Sequence, residues 1–104
     1  MIPNRSGVPM KAPDPVRLER EEAWIGDAVL CLFARQYILR TTGVMDPAEF
    51  TALTCNAFLS AFGPPTRVES RIGKIYQEQG LGLAFQHIEE EYLPLYLKQK
   101  NNRR

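Results

Sequence analysis

The amino-acid sequence predicts a single all-α domain. Its 104 residues leave room for one small hydrophobic core and for no second domain of independent stability. Helix start and stop signals recur along the chain, and no alternating run of apolar and polar residues competes as a strand. We therefore expect a helical domain over residues 14–100, preceded by an irregular lead-in over residues 1–13 and followed by a basic tail over residues 101–104.

Aspartate followed by proline marks the start of each of the first two helices. Asp14 supplies a helix cap before a proline at the first helical position, and the helical pattern then runs to Gly43. Asp46 repeats this arrangement and opens a second helix. That helix must stop near residues 63–65, because the sequence Gly-Pro-Pro cannot continue it.

Two further helices complete the predicted fold. Thr66, with Glu69 three residues later, has the capping-box pattern and opens a third helix that Gly80 ends. A fourth helix covers about residues 81–100, and Pro94 bends or interrupts it. The four helices contain no internal repeat.

The composition excludes several classes of protein. With 44% hydrophobic and 24% charged residues, the chain is neither a disordered tail nor a low-complexity sequence. The longest nearly uncharged run, residues 23–34, is too short to span a bilayer, and residues 1–13 lack the apolar core of a signal peptide. We therefore expect a cytoplasmic protein that does not interact with a membrane.

The charge is nearly balanced, so its distribution is more informative than its sum. The 13 Lys and Arg residues against 12 Asp and Glu residues leave a net charge of +1, and no strongly basic field indicates a nucleic-acid partner. Four cations fall in the last seven residues: Lys98, Lys100, Arg103 and Arg104. Such a tail is more often a frayed, solubilising end than a binding element.

The cysteines and the histidine do not form a recognisable metal or nucleophile site. Cys31 and Cys55 lie within apolar helical patterns without the spacing of metal ligands, so we expect buried free thiols. His87 has no partnering cysteine nearby in the sequence, and we assign it no role.

Asp27 is the one charged residue within an apolar stretch of the first helix. Residues 23–34 are apolar on every side of about three turns, which predicts a central helix that is buried all round. A buried carboxylate needs a cation, hydrogen-bond donors or a proton, and Arg20 is the only local candidate for a cation. Asp27 is therefore either a structural carboxylate or a ligand of a divalent cation such as Mg²⁺.

Glu69 is the candidate for a second carboxylate ligand. It shares a face of the third helix with apolar residues and is expected to point toward the core, whereas Arg67, Arg71 and Lys74 form a basic row on another face. Spacing alone favours the simpler interpretation, in which Glu69 closes the capping box with Thr66. The basic row is either a solvated helix face or a set of phosphate contacts.

Two segments of the chain resemble the ribonuclease III endonuclease domain. The sequence EAWIGDAVL at residues 22–30 is similar to the signature helix of that family, which reads aromatic, aliphatic, Gly-Asp-Ala-Val. The sequence VESRIGKIY at residues 68–76, followed by Gln-Gly-Leu, is similar to the second motif of the family. The motifs occur in the family's order, and the resemblance covers about residues 16–97.

The resemblance implies an Mg²⁺-dependent endoribonuclease that cleaves double-stranded RNA in RNA processing, with Mn²⁺ as an alternative metal and without an organic cofactor. Asp27 and Glu69 match the paired catalytic, metal-binding carboxylates of the family. Trp24 matches the aromatic residue that crosses the two-fold axis of the family's dimers, so the resemblance implies a homodimer. The candidates for contacts with RNA phosphates are the basic row, Arg67, Arg71 and Lys74, and the cationic tail.

The chain also departs from the family at several positions. Ala23, Arg20 and Thr66 occupy positions where most members carry further acidic residues, and the span from Asp27 to Glu69 is shorter than usual. The compact mini-ribonuclease III branch, which has alanine at the position of Ala23, is the nearest subgroup. Two alternatives therefore stay open: a weakly active or inactive relative that serves as a dimeric adaptor for RNA or protein, and a helical dimer with an accidental motif match.

Overall fold

The structure is a computed structural model that describes residues 14–103. Over this range the chain forms helices and no β-strand, which confirms the all-α prediction. The elements in chain order are α1 (Pro15–Thr42), α2 (Pro47–Thr54), α3 (Asn56–Leu59), a 3-10 turn (Ser60–Phe62), α4 (Pro65–Gln79), α5 (Leu81–Glu91) and α6 (Leu93–Asn102). The predicted lead-in over residues 1–13 and Arg104 lie outside the described residues. None of the helices described has the length and apolar character required to cross a membrane.

The predicted boundaries of the first helix and the start of the second are confirmed. The Asp14 side chain accepts a hydrogen bond from the Val16 N–H at 3.0 Å. Gly43 ends α1 in the left-handed conformation, with φ of 79°, which glycine adopts without steric cost. Asp46 caps α2 by accepting a hydrogen bond from the Glu49 N–H at 3.2 Å.

The prediction of one continuous helix up to residues 63–65 is wrong. The backbone is extended at Cys55, with ψ of 158°, and the chain then continues as α3 and the 3-10 turn. In an unbroken helix Leu53, Phe58 and Leu59 would point in three different directions, since each residue advances about 100° around the axis. The break allows all three side chains to be buried in the core.

The predicted cap of the third helix is also wrong. Helix α4 begins at Pro65, whose ring presets the backbone angle of a first helical position, and its cap residue forms no side-chain hydrogen bond. Thr66 is therefore inside the helix, and Glu69 does not close a capping box with it. Gly80 ends the helix as predicted, with φ of 94°.

Pro94 separates the last two helices, as predicted. Helix α5 ends at Glu91, and Pro94 lies in the first turn of α6, where a missing N–H costs no hydrogen bond. The interruption directs Tyr92 and Tyr96 into the core, where both are almost fully buried.

Helix α1 is the central helix, but the prediction that it is buried all round is wrong. Its inner side packs on α2, α4 and α5. Its outer side is exposed: Asp27 and Ala28 lie at the surface, Trp24 is 81% exposed and Leu32 is 40% exposed. Because these contacts lie on one side of α1, the described residues leave part of the apolar segment facing solvent.

Part of the predicted basic tail is bound to the domain. Helix α6 extends to Asn102, and Arg103 donates a hydrogen bond to the Glu49 carboxylate at 3.2 Å. Tyr96 donates to the same carboxylate, and Lys100 lies 4.0 Å from it. The Tyr96 hydroxyl and the Arg103 guanidinium hold the pKa of Glu49 below its usual value. Arg103 is thus part of a polar cluster that joins α6 to α2.

Neither cysteine is fully buried, contrary to prediction, although both are free thiols as predicted. Cys31 and Cys55 are half-buried on α1 and at the α2–α3 junction, respectively. His87 lies 3.0 Å from the Tyr92 hydroxyl, and burial lowers the pKa of its imidazole. His87 is therefore a half-buried side chain that packs on the Tyr92 ring.

Candidate functional site

Two glycines allow α1 and α4 to approach each other backbone to backbone. A Cβ atom added at Gly26 would overlap the Glu69 carbonyl oxygen and lie 2.8 Å from the Gly73 nitrogen. A Cβ atom added at Gly73 would overlap the Glu22 carbonyl oxygen and lie 2.9 Å from the Gly26 nitrogen. Only residues without a side chain fit at this crossing. The close spacing of the two helices at this point therefore depends on glycine at both positions.

The same crossing sets which side chains meet. The two helices run in the same direction, because residue numbers rise together in both helices from one contact to the next. The contacts are Arg67 with Glu19, Ser70 with Glu22, and Gly73 with Gly26. Asp27 directly follows Gly26, and Glu69 lies one helical turn before Gly73. The crossing therefore brings a carboxylate of α1 to a carboxylate of α4.

Asp27 and Glu69 lie in direct side-chain contact. Burial raises the pKa of Glu69 to about 7, and the hydrogen bond and negative charge of the Asp27 carboxyl contribute to the rise. Asp27 itself is exposed rather than buried, which corrects the prediction made from the apolar pattern. Glu69 is half-buried, and it points toward Asp27 rather than deep into the core. Below about pH 7 the Glu69 carboxyl therefore holds a proton.

No basic side chain neutralises this pair within residues 14–103. The ion pairs of the described residues involve neither Asp27 nor Glu69, and Arg20, the local candidate, is exposed at the surface. Two adjacent carboxylates without a basic partner form a negative site that is open to solvent on the Asp27 side. A hard divalent cation fits this donor set, because Mg²⁺ binds through one or two carboxylates and takes its other ligands from water and phosphate.

Glu69 should make the stability of the metal-free protein depend on pH. Its folded-state pKa of about 7 exceeds the ordinary glutamate value, so the folded protein binds the extra proton and loses this stabilisation as pH rises through 7. Solvent screening at a half-buried carboxyl limits the effect to about 1 kcal/mol, or roughly 4–8 °C in melting temperature. Glu69→Gln should therefore raise the melting temperature in EDTA at pH 8 and have little effect at pH 4. Equal effects at both pH values would contradict the raised pKa.

Two further hydrogen bonds near the carboxylate pair were not predicted from the sequence, and one of them reaches Asp27. The Cys31 thiol donates a weak hydrogen bond to Asp27 Oδ1 at 3.8 Å, and burial and the Asp27 charge raise the pKa of this thiol. Ser70 donates to Glu22 Oε1 at 3.0 Å across the α1–α4 crossing. The spacing of four residues between Asp27 and Cys31 places them on one helix face and was the signal available for that contact.

The described residues do not supply a third carboxylate. Ala23 is buried, while Arg20 and Thr66, which stand at the other acidic positions of the resembled family, are exposed. Within residues 14–103 no group of three or more His, Cys, Asp and Glu side chains is arranged to hold a metal ion. The candidate donor set is therefore limited to Asp27 and Glu69.

The basic row of α4 lies away from the carboxylates. Arg67, Arg71 and Lys74 are all exposed, and Arg67 lies 3.5 Å from Glu19. Arg71 is two positions after Glu69, about 200° further around the helix. The structure therefore brings Asp27 and Glu69 together and leaves the three predicted RNA contacts on the opposite side of α4.

A groove runs beside the carboxylate pair on the exposed side of α1. It has a volume of about 580 Å³, and Asp27, Ala28, Leu32 and Tyr76 are among the residues that line it. Trp24 stands at its edge and is 81% exposed. A protruding aromatic side chain therefore lies next to a mainly apolar groove on one face of the molecule.

Comparisons of the chain with protein-family models, with curated proteins and with solved structures find no match. Two geometric features remain from which a function can be proposed. One is the contact between Asp27 and Glu69, and the other is the exposed apolar face around Trp24.

Proposed function

We propose that this chain is an Mg²⁺-dependent endoribonuclease of the ribonuclease III type, which cleaves double-stranded RNA as a homodimer. The observation that carries the proposal is the contact between Asp27 and Glu69, two carboxylates 42 positions apart in the sequence. These are the residues that the resemblance to the ribonuclease III family assigns to metal binding and catalysis. Their contact through a close helix crossing supports that assignment.

Asp27 and Glu69 would hold the metal ion and position it against the RNA backbone. A bound Mg²⁺ supplies positive charge beside the scissile phosphate and lowers the pKa of water there. Asp27, at the surface, is accessible to a phosphate, whereas half-buried Glu69 is fixed by the α1–α4 crossing. Glu69 must lose its proton for the pair to bind a cation, so cation binding should release a proton near pH 7. The protein would thus contribute by positioning the metal ion and by the electrostatic field of its carboxylates.

The exposed face of α1 supports the homodimer in this proposal. A knob and a groove side by side on one surface suit a two-fold axis, because each copy can insert its knob into the groove of the other. Trp24 is the knob, and the groove contains Ala28 and Leu32. The partner's Trp24 in that groove would also shield one side of Asp27 from solvent. A dimer provides one carboxylate pair for each strand of an RNA duplex.

Trp24→Glu should convert the dimer to a monomer, with a dissociation constant about 100-fold higher or more, because it removes a central aromatic contact and buries a charge. Sedimentation velocity over a range of concentrations measures the change. Since Trp24 is 81% exposed in the single chain, the helical content should be unchanged. Leu18→Glu, at an exposed position off the groove, serves as the control and should still form dimers.

RNA recognition in this proposal rests on phosphates and 2′-hydroxyls, since side chains cannot read the deep major groove of A-form RNA. Arg67, Arg71 and Lys74 remain the proposed phosphate contacts. Because these three residues lie on the side of α4 away from Glu69, they would bind phosphates distant from the scissile bond. A phosphate would have to compete with the Glu19 carboxylate for Arg67.

A second candidate function is supported by the small number of carboxylates. With two acidic ligands and no third among the described residues, the same domain could bind RNA or a protein as a catalytically weak or inactive dimeric adaptor. In that case Asp27 and Glu69 are remnants of a metal site, and the α1 face carries the function.

Cleavage of a labelled RNA duplex by the purified protein tests both functions. The first predicts Mg²⁺-dependent fragments that carry 5′-phosphate and 3′-hydroxyl ends, and it predicts no cleavage in EDTA. A DNA duplex of the same sequence is the control for 2′-hydroxyl recognition. Binding of RNA without cleavage would overturn the nuclease and favour the adaptor. Absence of both activities in a confirmed dimer would leave a protein-binding adaptor.

A further inference from the structure

A second groove lies between α6 and the junction of α2 and α3. It has a volume of about 530 Å³, and it shares no lining residue with the groove beside Asp27. The break in the helix at residue 55 contributes to one of its walls, and the second half of α6 contributes the other. We call it the α6 groove. Six of the side chains that line it are used in the argument below: Cys55, Phe58, Tyr96, Gln99, Asn102 and Arg103.

The guanidinium of Arg103 is held in place at this groove by a carboxylate. Arg103 donates hydrogen bonds to Glu49 from Nη1 at 3.3 Å and from Nη2 at 3.2 Å. The Tyr96 hydroxyl donates to the same carboxylate and so fixes its position. A guanidinium has more N–H donors than these two, so Arg103 can bind a second anion while it stays paired with Glu49.

The charge around Glu49 is positive in sum. The Lys100 ammonium lies 4.0 Å from Glu49 Oε1, so one carboxylate faces two cations. Over residues 14–103, no Asp or Glu side chain is among those that line the groove. The groove is therefore complementary to an anion, and a phosphate group accepts the strongest hydrogen bonds from a guanidinium.

The rest of the groove suits a flat organic group with polar edges. Phe58 and Tyr96 are almost fully buried, and their rings contribute an apolar floor. Gln99 and Asn102 are exposed at the α6 side, and each amide offers both hydrogen-bond donors and an acceptor. Small-molecule sites commonly combine such an apolar wall with a few polar groups in a cavity of this size.

We infer that the α6 groove binds a nucleoside phosphate. In this inference the phosphate binds Arg103, the base packs against the apolar floor, and Gln99 and Asn102 bond to polar atoms of the base or sugar. A free mononucleotide and the 5′-terminal nucleotide of an RNA strand share this chemistry. The inference goes beyond the proposed function and does not depend on it, because the α6 groove is separate from the carboxylate pair.

The two cysteines provide a direct test. The Cys55 thiol lines the α6 groove, so a bound nucleotide should shield it from alkylation by iodoacetamide. Cys31 is also half-buried but lies beside Asp27, and it is the internal control. Trypsin cleavage after Arg35 and Arg40 places the two cysteines in different peptides, so mass spectrometry can follow each of them.

Adenosine 5′-monophosphate is the first probe, added to the whole chain in EDTA so that no metal ion can bind it at Asp27 and Glu69. At about ten times its dissociation constant it should slow alkylation of Cys55 about tenfold and leave Cys31 unchanged. Adenosine alone and inorganic phosphate alone should protect Cys55 much less at the same concentration. A short 5′-phosphorylated oligoadenylate separates the two sources: stronger protection than by the mononucleotide assigns the groove to an RNA end, and equal protection assigns it to a free nucleotide.

Substitutions test the contacts with each part of the ligand. Arg103→Gln should raise the dissociation constant of the mononucleotide about tenfold or more, because it removes a charge-assisted hydrogen bond. Gln99→Leu should raise it by about threefold or more and leaves the Glu49 cluster intact. Arg20→Gln and Gln77→Leu are the matched controls at exposed helical positions away from the groove. Circular dichroism verifies that every variant is folded.

Four results would each overturn the inference. Alkylation of Cys55 could be unaffected by about 10 mM mononucleotide, which would exclude binding in a useful range. Cys31 and Cys55 could be protected equally, or inorganic phosphate could protect Cys55 as well as the mononucleotide does. The dissociation constant could also be insensitive to both Arg103→Gln and Gln99→Leu. Lys100 and Arg103 would then only complement the negative end of the α6 dipole.

Discussion

Asp27→Asn is expected to abolish Mg²⁺-dependent RNA cleavage, with a fall in rate of about 1,000-fold or more. The amide removes one of the two negative charges of the donor set, which over residues 14–103 consists of Asp27 and Glu69. Electrostatic stabilisation by a positioned metal ion is worth several kcal/mol, and each 1.36 kcal/mol changes the rate tenfold. Steady-state cleavage of an RNA duplex under saturating Mg²⁺ measures the change.

The fold should survive this substitution, which separates catalysis from stability. Asp27 lies at the surface, and its negative charge contributes to the raised pKa of Glu69. Asp27→Asn removes that repulsion, so the melting temperature in EDTA should be unchanged or higher. The stabilisation that Mg²⁺ gives the wild type, about 2.7 kcal/mol at 100 times the dissociation constant, should disappear.

Asp46→Asn provides a control with the same chemical change at a distant site. Asp46 caps α2 through its side-chain oxygen, and asparagine caps a helix equally well. This variant should therefore retain both cleavage and the response to Mg²⁺. If Asp27→Asn cleaved RNA at the wild-type rate, or if Mg²⁺ still stabilised it fully, the proposed metal site would be wrong.

The helix boundaries that could be predicted from the sequence are those with a local chemical cause. Asp14, Gly43, Asp46, Gly80 and Pro94 each act through their own backbone or side chain, and the structure confirms all five. The break at residue 55 has no such local signal. It arises because Leu53, Phe58 and Leu59 must all reach one core, which depends on the positions of the other helices.

The contact between the two carboxylates could not be derived from their spacing. Asp27 and Glu69 are 42 positions apart, and local pattern favoured a capping role for Glu69. The expectation that they act together came from the resemblance to ribonuclease III. What brings them into contact is the close approach at Gly26 and Gly73, and a glycine within a helical pattern does not reveal its partner.

The exposure of α1 shows another limit of prediction from the apolar residue pattern. Apolar residues on every side of a helix indicate burial, but they do not show whether the covering surface belongs to the same chain. Here the described chain covers one side only, and Trp24 and Leu32 remain exposed. The prediction of complete burial was wrong for the single chain, and the same observation supports the proposed dimer.

Gly73→Ala is expected to destabilise the protein by about 3 kcal/mol or more, because overpacking at a rigid backbone contact leaves the added methyl group no room. The new Cβ would overlap the Glu22 carbonyl oxygen and lie 2.9 Å from the Gly26 nitrogen, and neither atom belongs to a flexible side chain. The melting temperature should fall by roughly 12–24 °C in a thermal scan followed by circular dichroism.

Gly82→Ala is the matched control, since Gly82 also lies in a helix but has open space where the Cβ would be placed. Alanine is favoured over glycine in helices, so this variant should be neutral or more stable by up to about 1 kcal/mol. Similar losses in the two variants would show that the α1–α4 crossing is not the cause.

Gly73→Ala should also damage the carboxylate pair at temperatures where the variant is still folded. Separation of α1 from α4 moves Glu69, one turn before Gly73, away from Asp27. The pKa of Glu69 should then fall from about 7 toward the ordinary glutamate value, because its burial and its contact with Asp27 are both reduced. A titration of the Glu69 carboxyl by NMR measures this change. An unchanged pKa in the folded variant would mean that the glycine crossing does not control the geometry of the site.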